Sequence, residues 1–300
     1  MKKVLGIDIG GGSIRGSIID SSGKIYAEEK IDTNRNWSNS EFLESLLQLI
    51  TSIQKKESFE KIGIGTPGPI DMDKGIILRS ANLINLENVM LSFTIQNKFN
   101  LPVFMNNDAN CFSLGEYYFG KGQNCDNLVI FTLGTGIGCG WVYKGEIFNG
   151  YKGNGMESGH CTIVINGALC GCGQRGCAES YFSARGFLSR YKEKTGSEIE
   201  SARAFFELVR KKDPVAVEIL SFGTMVLAEL LRNTIHSVNP KKIILVGGLT
   251  KSWDLFGENL IERVKEIVFP VFLDYTTIET GSGLSSTYGA ASLCFKGEQI

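Results

Sequence analysis

Apolar and polar positions alternate with two different periods along the chain, and each change of period marks a predicted element. Residues 4–20 read VLGIDIGGGSIRGSIID, which predicts an apolar strand, a glycine turn and a second strand. A third strand is predicted from Lys24 to Ile31. From Phe42 to Ile53, apolar residues recur at helical spacing behind the capping-box sequence Ser38 to Glu41. The pattern therefore predicts a three-stranded meander followed by a helix.

The next segment alternates strands and helices. A strand is predicted at Lys61 to Gly65 and another at Val103 to Met105. Helices are predicted near Met90 to Phe99 and from about Ala109 to Tyr118. This alternation is typical of an α/β lobe.

A second meander, at Leu128 to Phe148, repeats the pattern of the first. The repeat aligns three glycines of each meander: Gly10, Gly12 and Gly16 with Gly134, Gly136 and Gly140. A strand-turn-strand unit that recurs with matched glycines indicates two related lobes closing on one ligand.

The C-terminal part alternates in the same way. Helices are predicted at Arg203 to Arg210 and at Pro214 to His236, and a strand at Lys242 to Val246. A helix over Trp253 to Val268 and a final helix over Gly289 to Phe295 follow. The predicted N-terminal lobe comprises residues 1–118 plus about 286–300, and the C-terminal lobe comprises residues 119–285.

Composition and charge narrow the function classes. The 300 residues include 31 basic and 32 acidic ones, a net charge of -1, so no global field attracts nucleic acid or an acidic membrane. The start has no apolar signal-peptide region. The longest uncharged stretch, Asn127 to Tyr143, is too short to span a bilayer. We therefore expect a cytoplasmic protein that binds neither nucleic acid nor membrane.

Two glycine turns are candidate phosphate sites, because backbone N–H groups approach phosphate oxygens where no Cβ intervenes. The turns are Gly10-Gly11-Gly12-Ser13 and Gly134-Thr135-Gly136, and each carries a hydroxyl. Neither has the pattern of a Walker loop or a Rossmann fingerprint. The alternative is a pair of tight hairpins. Asp8, just before the first turn, is placed to hold a water-coordinated Mg²⁺.

The segment MNNDAN, residues 105–110, lies where a strand gives way to a helix. Asp108 could accept a proton from a hydroxyl that attacks a γ-phosphate. Asn107 and Asn110 could orient the substrate or the loop. The alternative is helix capping by Asp108 or Asn107.

One imidazole and three thiols fall within eighteen residues: His160, Cys170, Cys172 and Cys177. This set suits a tetrahedral Cys₃His zinc site that is structural, because protein fills all four positions. Cys161 is a competing ligand, and the alternative is a reduced cysteine-rich loop. The predicted zinc loop spans residues 157–179.

Two further pairs of residues complete the candidates. Glu157 and Glu179 bracket the zinc loop and could accept hydrogen bonds from a polyol, the alternative being two solvated glutamates. Gly247 and Gly248 follow the strand at 242–246 and could let an adenine lie against the backbone. The alternative for these glycines is an ordinary strand-to-helix turn.

These motifs together resemble the ROK family, named for its repressors and kinases, within the actin-like ATPase superfamily. The resemblance spans nearly the whole chain and is carried by DIGGGSIRG, GTPGPID, NNDANCFSLGE, LGTGIGCG, GMESGH, CGCGQRGCAESYFSARG and VGGL. It implies an α/β fold of two actin-like, ribonuclease H-like ATPase lobes with a cleft between them. It also implies an ATP-dependent sugar kinase that uses Mg²⁺ and a structural Zn²⁺, usually as a homodimer.

Site residues carried over from the resemblance agree with those named above. It implies Asp108 as catalytic base, ATP phosphates on the turns near Gly10 and Gly134, and zinc on His160, Cys170, Cys172 and Cys177. It implies a sugar site of these residues: Gly68, Asn82, Asn107, Glu157, His160 and Glu179.

Departures from the family pattern leave the sugar open. Ser13 stands where threonine is usual, and Met156 and Ala178 replace a small and a larger apolar residue before the two glutamates. Glucokinases, N-acetylglucosamine or N-acetylmannosamine kinases and allose kinases all remain candidates. A sugar-sensing regulator and a non-catalytic sugar-binding protein are the alternatives. The regulators carry an added N-terminal winged helix, for which we expect no room before Asp8.

Overall fold

The computed structural model describes residues 2–80 and 83–295. The chain forms two compact units. Unit 1 comprises residues 1–124, 140–156 and 284–300, and unit 2 comprises residues 125–139 and 157–283. The segment 140–156 therefore clusters with unit 1, whereas the sequence analysis placed it in the C-terminal lobe.

Within the described residues, strands and helices alternate much as the hydrophobic pattern predicts. The strands are β1 (Lys3–Ile9), β2 (Ser13–Asp20), β3 (Ile25–Asp32), β4 (Ile62–Thr66), β5 (Ile70–Asp71), β6 (Ile76–Arg79), β7 (Glu87–Val89), β8 (Val103–Asn107), β9 (Asn127–Leu133), β10 (Ile137–Tyr143), β11 (Glu146–Ile147), β12 (Lys242–Val246) and β13 (Thr277–Thr280). The α-helices are α1 (Asn39–Lys56), α2 (Leu91–Phe99), α3 (Asp108–Phe119), α4 (Ala184–Thr195), α5 (Ala202–Arg210), α6 (Pro214–Val238), α7 (Gly257–Ile267), α8 (Pro270–Leu273) and α9 (Ser286–Ser292). Short 3₁₀ segments cover Tyr151–Gly153, Ser158–His160, Ala178–Ser180 and Gly248–Leu255.

Unit 1 is built on a sheet of order β3-β2-β1-β4-β8. The first three strands are antiparallel, and β4 and β8 run parallel to β1. The predicted meander is thus confirmed. The predicted capping box is present as well, since the Ser38 N–H donates to Glu41 at 2.8 Å and the Glu41 N–H donates to the Ser38 hydroxyl at 3.3 Å. A small sheet of order β5-β6-β7 completes this unit.

Helix α9 lies unusually close to the sheet of unit 1. A Cβ on Gly6 of β1 would stand 2.2 Å from the carbonyl oxygen of Thr287, and one on Gly63 of β4 would stand 1.9 Å from that of Ala290. A Cβ on Gly289 would stand 1.8 Å from the Cys111 carbonyl oxygen of α3. Glycine is therefore required at these contacts, and they fix α9 against β1, β4 and α3. Helix α9 begins three residues before its predicted start. The sequence does not predict these three residues as helical, because they belong to a run of hydroxyl side chains in which apolar residues do not recur at helical spacing.

The second five-stranded sheet has the order β11-β10-β9-β12-β13, with β12 parallel to both β9 and β13. In unit 2, helices α4, α5 and α7 pack with α6, and the rings of Phe187 and Phe205 stack at 4.7 Å. The helix predicted over residues 253–268 is divided into the 3₁₀ segment and α7. The break falls at Phe256, whose φ is −140°, and the Trp253 ring lies against the backbone of Gly257.

Among the described residues, one helix is long and apolar enough to cross a membrane. It is α6, with a mean hydropathy of 1.7 over its most apolar window, of which 56% is buried within the structure. Burial against α4, α5 and α7 accounts for this apolar character, because a core helix of a soluble protein meets the same criteria.

Candidate functional site

The carboxyl ends of three parallel strands meet at one edge of the unit 1 sheet. Asp8 of β1 pairs in register with Gly65 of β4, and Gly65 pairs with Asn106 of β8. Adjacent strands lie about 4.8 Å apart, so Asp8 and the end of β8 are separated by about two strand spacings. The fold therefore gathers Asp8, the segment after β4 and the start of α3 at the same edge.

Carbonyl groups of the first glycine turn accept hydrogen bonds from other groups of the protein. Gly10 N–H donates to the Ser13 carbonyl at 2.9 Å. Thr33, just after β3, holds the turn, since its hydroxyl donates to the Gly11 carbonyl at 2.8 Å and its N–H to the Gly12 carbonyl at 3.3 Å. Within the described chain, the N–H groups of Gly11 and Gly12 have no protein acceptor. Such unpaired donors suit an anion.

Asp8 is a partly enclosed carboxylate beside this turn. Its Oδ2 accepts a hydrogen bond from the hydroxyl of Ser286 in α9. Burial raises the pKa of Asp8, while the Ser286 hydrogen bond and the Arg15 guanidinium oppose the rise. A carboxylate whose ionised form is disfavoured by its surroundings gains most from a cation. Asp8 is therefore suited to hold Mg²⁺ through water.

Asn107 and Asp108 occupy the two positions at which helix α3 begins. Asn107 is the N-cap, and its side-chain oxygen accepts from the Ala109 N–H at 2.9 Å. Asp108 is the first helical residue, half-buried, and its Oδ1 accepts from the same N–H at 2.8 Å. Asn107 is therefore the N-cap residue, and the Asp108 carboxylate shares the same backbone N–H at the end of the strand.

A group of asparagine amides supports this strand end. Asn110 is 1% exposed and donates to Asn106 at 2.9 Å, so its amide supports the loop. Asn106 in turn donates to Asn149 at 2.8 Å. Asn154 bonds both backbone groups of Ile70, at 2.9 and 2.8 Å. The sequence does not predict roles for Asn149 and Asn154, because their polar loop, NGYKGNG, carries no periodic signal.

Two predicted sugar residues belong to this part of unit 1. A Cβ on Gly68 would lie 3.4 Å from the Asn107 side-chain nitrogen and 3.7 Å from the Asn154 side-chain oxygen, so Gly68 and Asn107 are neighbours. Asn82 lies outside the described residues. A cavity of about 510 Å³ lies beside this strand end, and its lining includes Asn106, Asn149, Phe93 and Phe104 but neither Asp8 nor Asp108.

The second glycine turn, in unit 2, also closes with a backbone hydrogen bond, which spans two residues where that of the first turn spans three. Gly134 N–H donates to the Gly136 carbonyl at 3.0 Å. The carbonyls of Gly134 and Thr135 accept from the N–H groups of Ala184 and Arg185 at the start of α4, at 2.9 and 3.4 Å. In the part of the chain that the structure covers, the N–H groups of Thr135 and Gly136 lack a protein acceptor. Both turns thus present unpaired donors.

Gly247 and Gly248 stand next to the second turn. They follow β12, the parallel neighbour of β9, so both strands end at the same edge. Gly247 has φ 103°, and a Cβ there would stand 2.4 Å from the Leu133 carbonyl oxygen. A Cβ on Gly248 would meet nothing within 4 Å. The backbone conformation and close packing of Gly247 therefore require glycine at that position. The backbone of Gly248 beside it is accessible, because no neighbouring atom covers it.

The four predicted metal ligands form a cluster. The ligand atoms of His160, Cys170, Cys172 and Cys177 all lie within 4.8 Å of one another. Cys170 Sγ is 3.6 Å from His160 Nδ1, and Cys172 Sγ is 3.6 Å from Cys177 Sγ. Tetrahedral zinc with bonds of about 2.3 Å needs ligand atoms about 3.8 Å apart. The donor set fits Zn²⁺, whereas Cys161 is exposed and is not one of the four.

Glu179 connects the cysteine cluster with the second glycine turn. Its Oε2 accepts from the Ile137 N–H at 3.0 Å, and its Oε1 lies 3.8 Å from Cys170 Sγ. A Cβ on Gly136 would stand 2.2 Å from the same Oε2. Glu179 is 9% exposed, so it is not one of two solvated glutamates. The sequence carries no signal for this contact, because it joins residues that no motif links.

Glu157 precedes the 3₁₀ turn that carries His160. The residue as a whole is exposed, yet partial desolvation raises the pKa of its carboxyl; His160 opposes this rise and Glu179 adds to it. Met156, which replaces a small residue, has φ 60°, a region that favours glycine. Met156, which departs from the family pattern, therefore lies at a position where the backbone conformation disfavours any residue with a side chain.

Comparisons with known proteins identify the family of this chain. The profile of the ROK family matches residues 4–296. A glucokinase from Thermotoga maritima is 33% identical in an alignment of 284 positions that covers 90% of each chain. A xylose repressor from Caldicellulosiruptor bescii is 30% identical in an alignment of 282 positions that covers 88% of this chain and 69% of the repressor.

A solved structure extends the likeness to the fold. The ROK family glucokinase from Streptomyces griseus, in complex with glucose and AMPPNP, is 27% identical, with a TM-score of 0.84 over 98% of this chain and 100% of that one. The α/β fold of two actin-like lobes expected from the sequence is confirmed. This chain therefore belongs to the ROK family.

Proposed function

We propose that this protein is an ATP-dependent sugar kinase that phosphorylates the primary hydroxyl of a hexose or N-acetylhexosamine. The observation that carries the proposal is the placement of Asp108, a half-buried and oriented carboxylate at the strand edge that also holds Asp8. The glucokinase relatives support the same reaction class.

Asp108 acts as the general base. As the sugar hydroxyl attacks the γ-phosphorus of ATP, its proton passes to the carboxylate, the new P–O bond forms, and the bond to ADP breaks. The Ala109 N–H fixes one carboxylate oxygen, which keeps the group aligned. Phosphoryl transfer depends mainly on such positioning and on charge neutralisation.

The two glycine turns bind the phosphates of ATP. Their unpaired N–H groups at Gly11, Gly12, Thr135 and Gly136 supply the donors, and Ser13 and Thr135 add hydroxyls. Asp8 would hold Mg²⁺ through water, and the ion would neutralise charge on the phosphate oxygens. Gly247 and Gly248 accept the adenine against exposed backbone.

The sugar contacts are Gly68, Asn82, Asn107, Glu157, His160 and Glu179. Asn107 and Glu179 also hold backbone groups, so their side chains are oriented before a sugar binds. Zn²⁺ on the four-ligand cluster would keep the loop that carries His160 and Glu179 in place.

The experiment is a screen of sugar-dependent ADP release, with glucose, mannose, allose, fructose and their N-acetylated relatives as substrates. We expect at least one hexose to be phosphorylated. Asp108→Asn should lower kcat by about 10² to 10⁴, the range for removal of a general base, and leave sugar affinity by calorimetry within about twofold. Full turnover in Asp108→Asn would reject the base. Asp73→Asn, which alters an exposed carboxylate paired with Lys152, is the matched control and should retain activity.

A regulator is the second candidate, because xylose repressors match 88% of this chain. A regulator predicts sugar-modulated binding to DNA in a gel-shift assay and no ADP release with any sugar. A kinase predicts the reverse of both results.

A further inference from the structure

We propose that Ser286 is a positioning residue that orients the Asp8 carboxylate for the Mg²⁺–nucleotide complex. The inference rests on the proposed function, since it assigns a partner to the carboxylate given to the metal. It adds a residue that none of the sequence motifs contains.

The contact is direct and lies within unit 1. The hydroxyl of Ser286 donates to Asp8 Oδ2 across 278 positions of sequence. Within residues 2–80 and 83–295, it is the side chain that hydrogen-bonds this carboxylate. Arg15, opposite Asp8 in the β1–β2 register, contributes attraction through its charge instead. Ser286 therefore sets the rotation of the carboxylate plane.

Helix α9 holds Ser286 in place. The next residue, Thr287, has its carbonyl 2.2 Å from where a Gly6 Cβ would stand, two residues before Asp8 on β1. Gly63 and Gly289 make equally close contacts along the same helix. Because backbone meets backbone at these three points, α9 has little freedom to slide, and the serine hydroxyl stays registered on Asp8.

The neighbouring hydroxyls are committed to other partners. Ser285 Oγ lies 3.0 Å from Thr287 Oγ1, and the Thr287 hydroxyl donates to Ser17 at 2.9 Å. Ser17 donates in turn to Glu28 at 3.0 Å. These hydrogen bonds lead from Ser285 through Thr287 and Ser17 to Glu28, away from Asp8. Among these neighbouring hydroxyl groups, that of Ser286 is therefore the one that donates to the Asp8 carboxylate.

An oriented carboxylate matters because a metal held through water is bound by directed hydrogen bonds. With Oδ2 restrained, the remaining acceptor positions of Asp8 keep a constant direction. Without the hydroxyl, the carboxylate can rotate, and binding must then fix it again. The expected loss is therefore specific to nucleotide binding with Mg²⁺.

The test measures AMPPNP affinity by calorimetry with and without Mg²⁺ on the full chain. In wild type we expect Mg²⁺ to tighten AMPPNP binding. Ser286→Ala should reduce that gain about tenfold, the lower end for a hydrogen bond to a charged group, while affinity without Mg²⁺ stays unchanged. Ser285→Ala is the control and should keep the full gain, because its hydroxyl serves Thr287.

A second pair of variants separates positioning from packing. Ser286→Thr and Ser286→Val have nearly the same shape, but only threonine keeps the hydroxyl. We expect threonine to restore the Mg²⁺ gain and valine to lose it, with equal Tm values for the two. Equal Mg²⁺ gains in the threonine and valine variants would overturn the proposal, as would a full gain in a folded Ser286→Ala.

Failure of this inference is distinguishable from failure of the proposed function. If wild type releases ADP with a sugar and Ser286→Ala keeps the Mg²⁺ gain, the positioning role is rejected and the kinase stands. If wild type releases no ADP with any sugar but Ser286→Ala loses the Mg²⁺ gain, the kinase is rejected and the positioning role stands.

Discussion

Substitution of Gly136 tests the contact between the second glycine turn and Glu179. In Gly136→Ala the new methyl group would stand 2.2 Å from Glu179 Oε2 and 3.0 Å from its Cδ. Contacts below 3.0 Å do not persist, so the carboxylate has to move by about 1 Å. That movement breaks the 3.0 Å hydrogen bond from the Ile137 N–H to the same oxygen.

The magnitude follows from the bond that is lost. A hydrogen bond to a charged group contributes about 1.5 to 3 kcal/mol, and Glu179 is 9% exposed, so water replaces it poorly. An unfolding entropy of about 2.1 cal/mol/K per residue gives about 0.6 kcal/mol/K for a chain of 300 residues. A cost of about 2 kcal/mol therefore lowers Tm by about 3 °C.

Differential scanning calorimetry of matched variants measures this effect. Gly134→Ala is the control, because a Cβ there meets nothing within 4 Å, and its Tm should stay within about 1 °C of wild type. In a Glu179→Ala background, Gly136→Ala should cost almost nothing, which makes the two substitutions non-additive. Equal Tm changes for Gly134→Ala and Gly136→Ala, or additive costs in the double variant, would refute the contact.

Two further predictions concern the metal loop and the response to acid. The purified chain should carry about one Zn²⁺; Cys177→Ser should lose it and lower Tm, whereas Cys161→Ser should retain it, as atomic absorption would show. Burial alone would raise the pKa of Asp20, but hydrogen bonds from Ser22, Tyr26 and Lys24 lower it to about 2. The resulting stabilisation, on the order of 2 kcal/mol, is complete above pH 4 and disappears as the pH falls through 2. The Tm gap between wild type and Asp20→Asn should therefore narrow towards pH 2, and a gap independent of pH would contradict this assignment.

The sequence predicts the elements of the fold well where hydrophobic periodicity is strong. The strand at Lys242–Val246 agrees with β12 at both ends, and α1 begins at the predicted capping box. Prediction is poorer where tertiary contacts decide the outcome. The break before α7 depends on Trp253 packing against Gly257, and the start of α9 depends on backbone contacts with β1. Neither contact has a local signal.

The residues of the candidate site likewise fall into those that the sequence predicts and those that only tertiary contacts reveal. Residues inside motifs, such as Asp108 and the zinc ligands, could be named because their spacing is itself the signal. Ser286, Thr33 and Asn149 could not, because each acts on a distant part of the chain through one or two hydrogen bonds. A lone hydroxyl or amide residue has many ordinary explanations, and only the fold shows which backbone or carboxylate it meets.

The two glycine turns show what the internal repeat specifies. In unit 1 the turn carbonyls are held by Thr33 of the segment after β3, and in unit 2 by Ala184 and Arg185 at the start of α4. These supports come from unrelated elements, so the repeated sequence does not encode them. The bonded carbonyls are also shifted by one position between the repeats, since those of Gly11 and Gly12 are held in the first turn and those of Gly134 and Thr135 in the second. What the two turns share, among the described residues, is a pair of N–H groups at matching positions with no protein acceptor, and because a tight hairpin needs only its own closing hydrogen bond, these shared donors favour anion binding over the hairpin alternative.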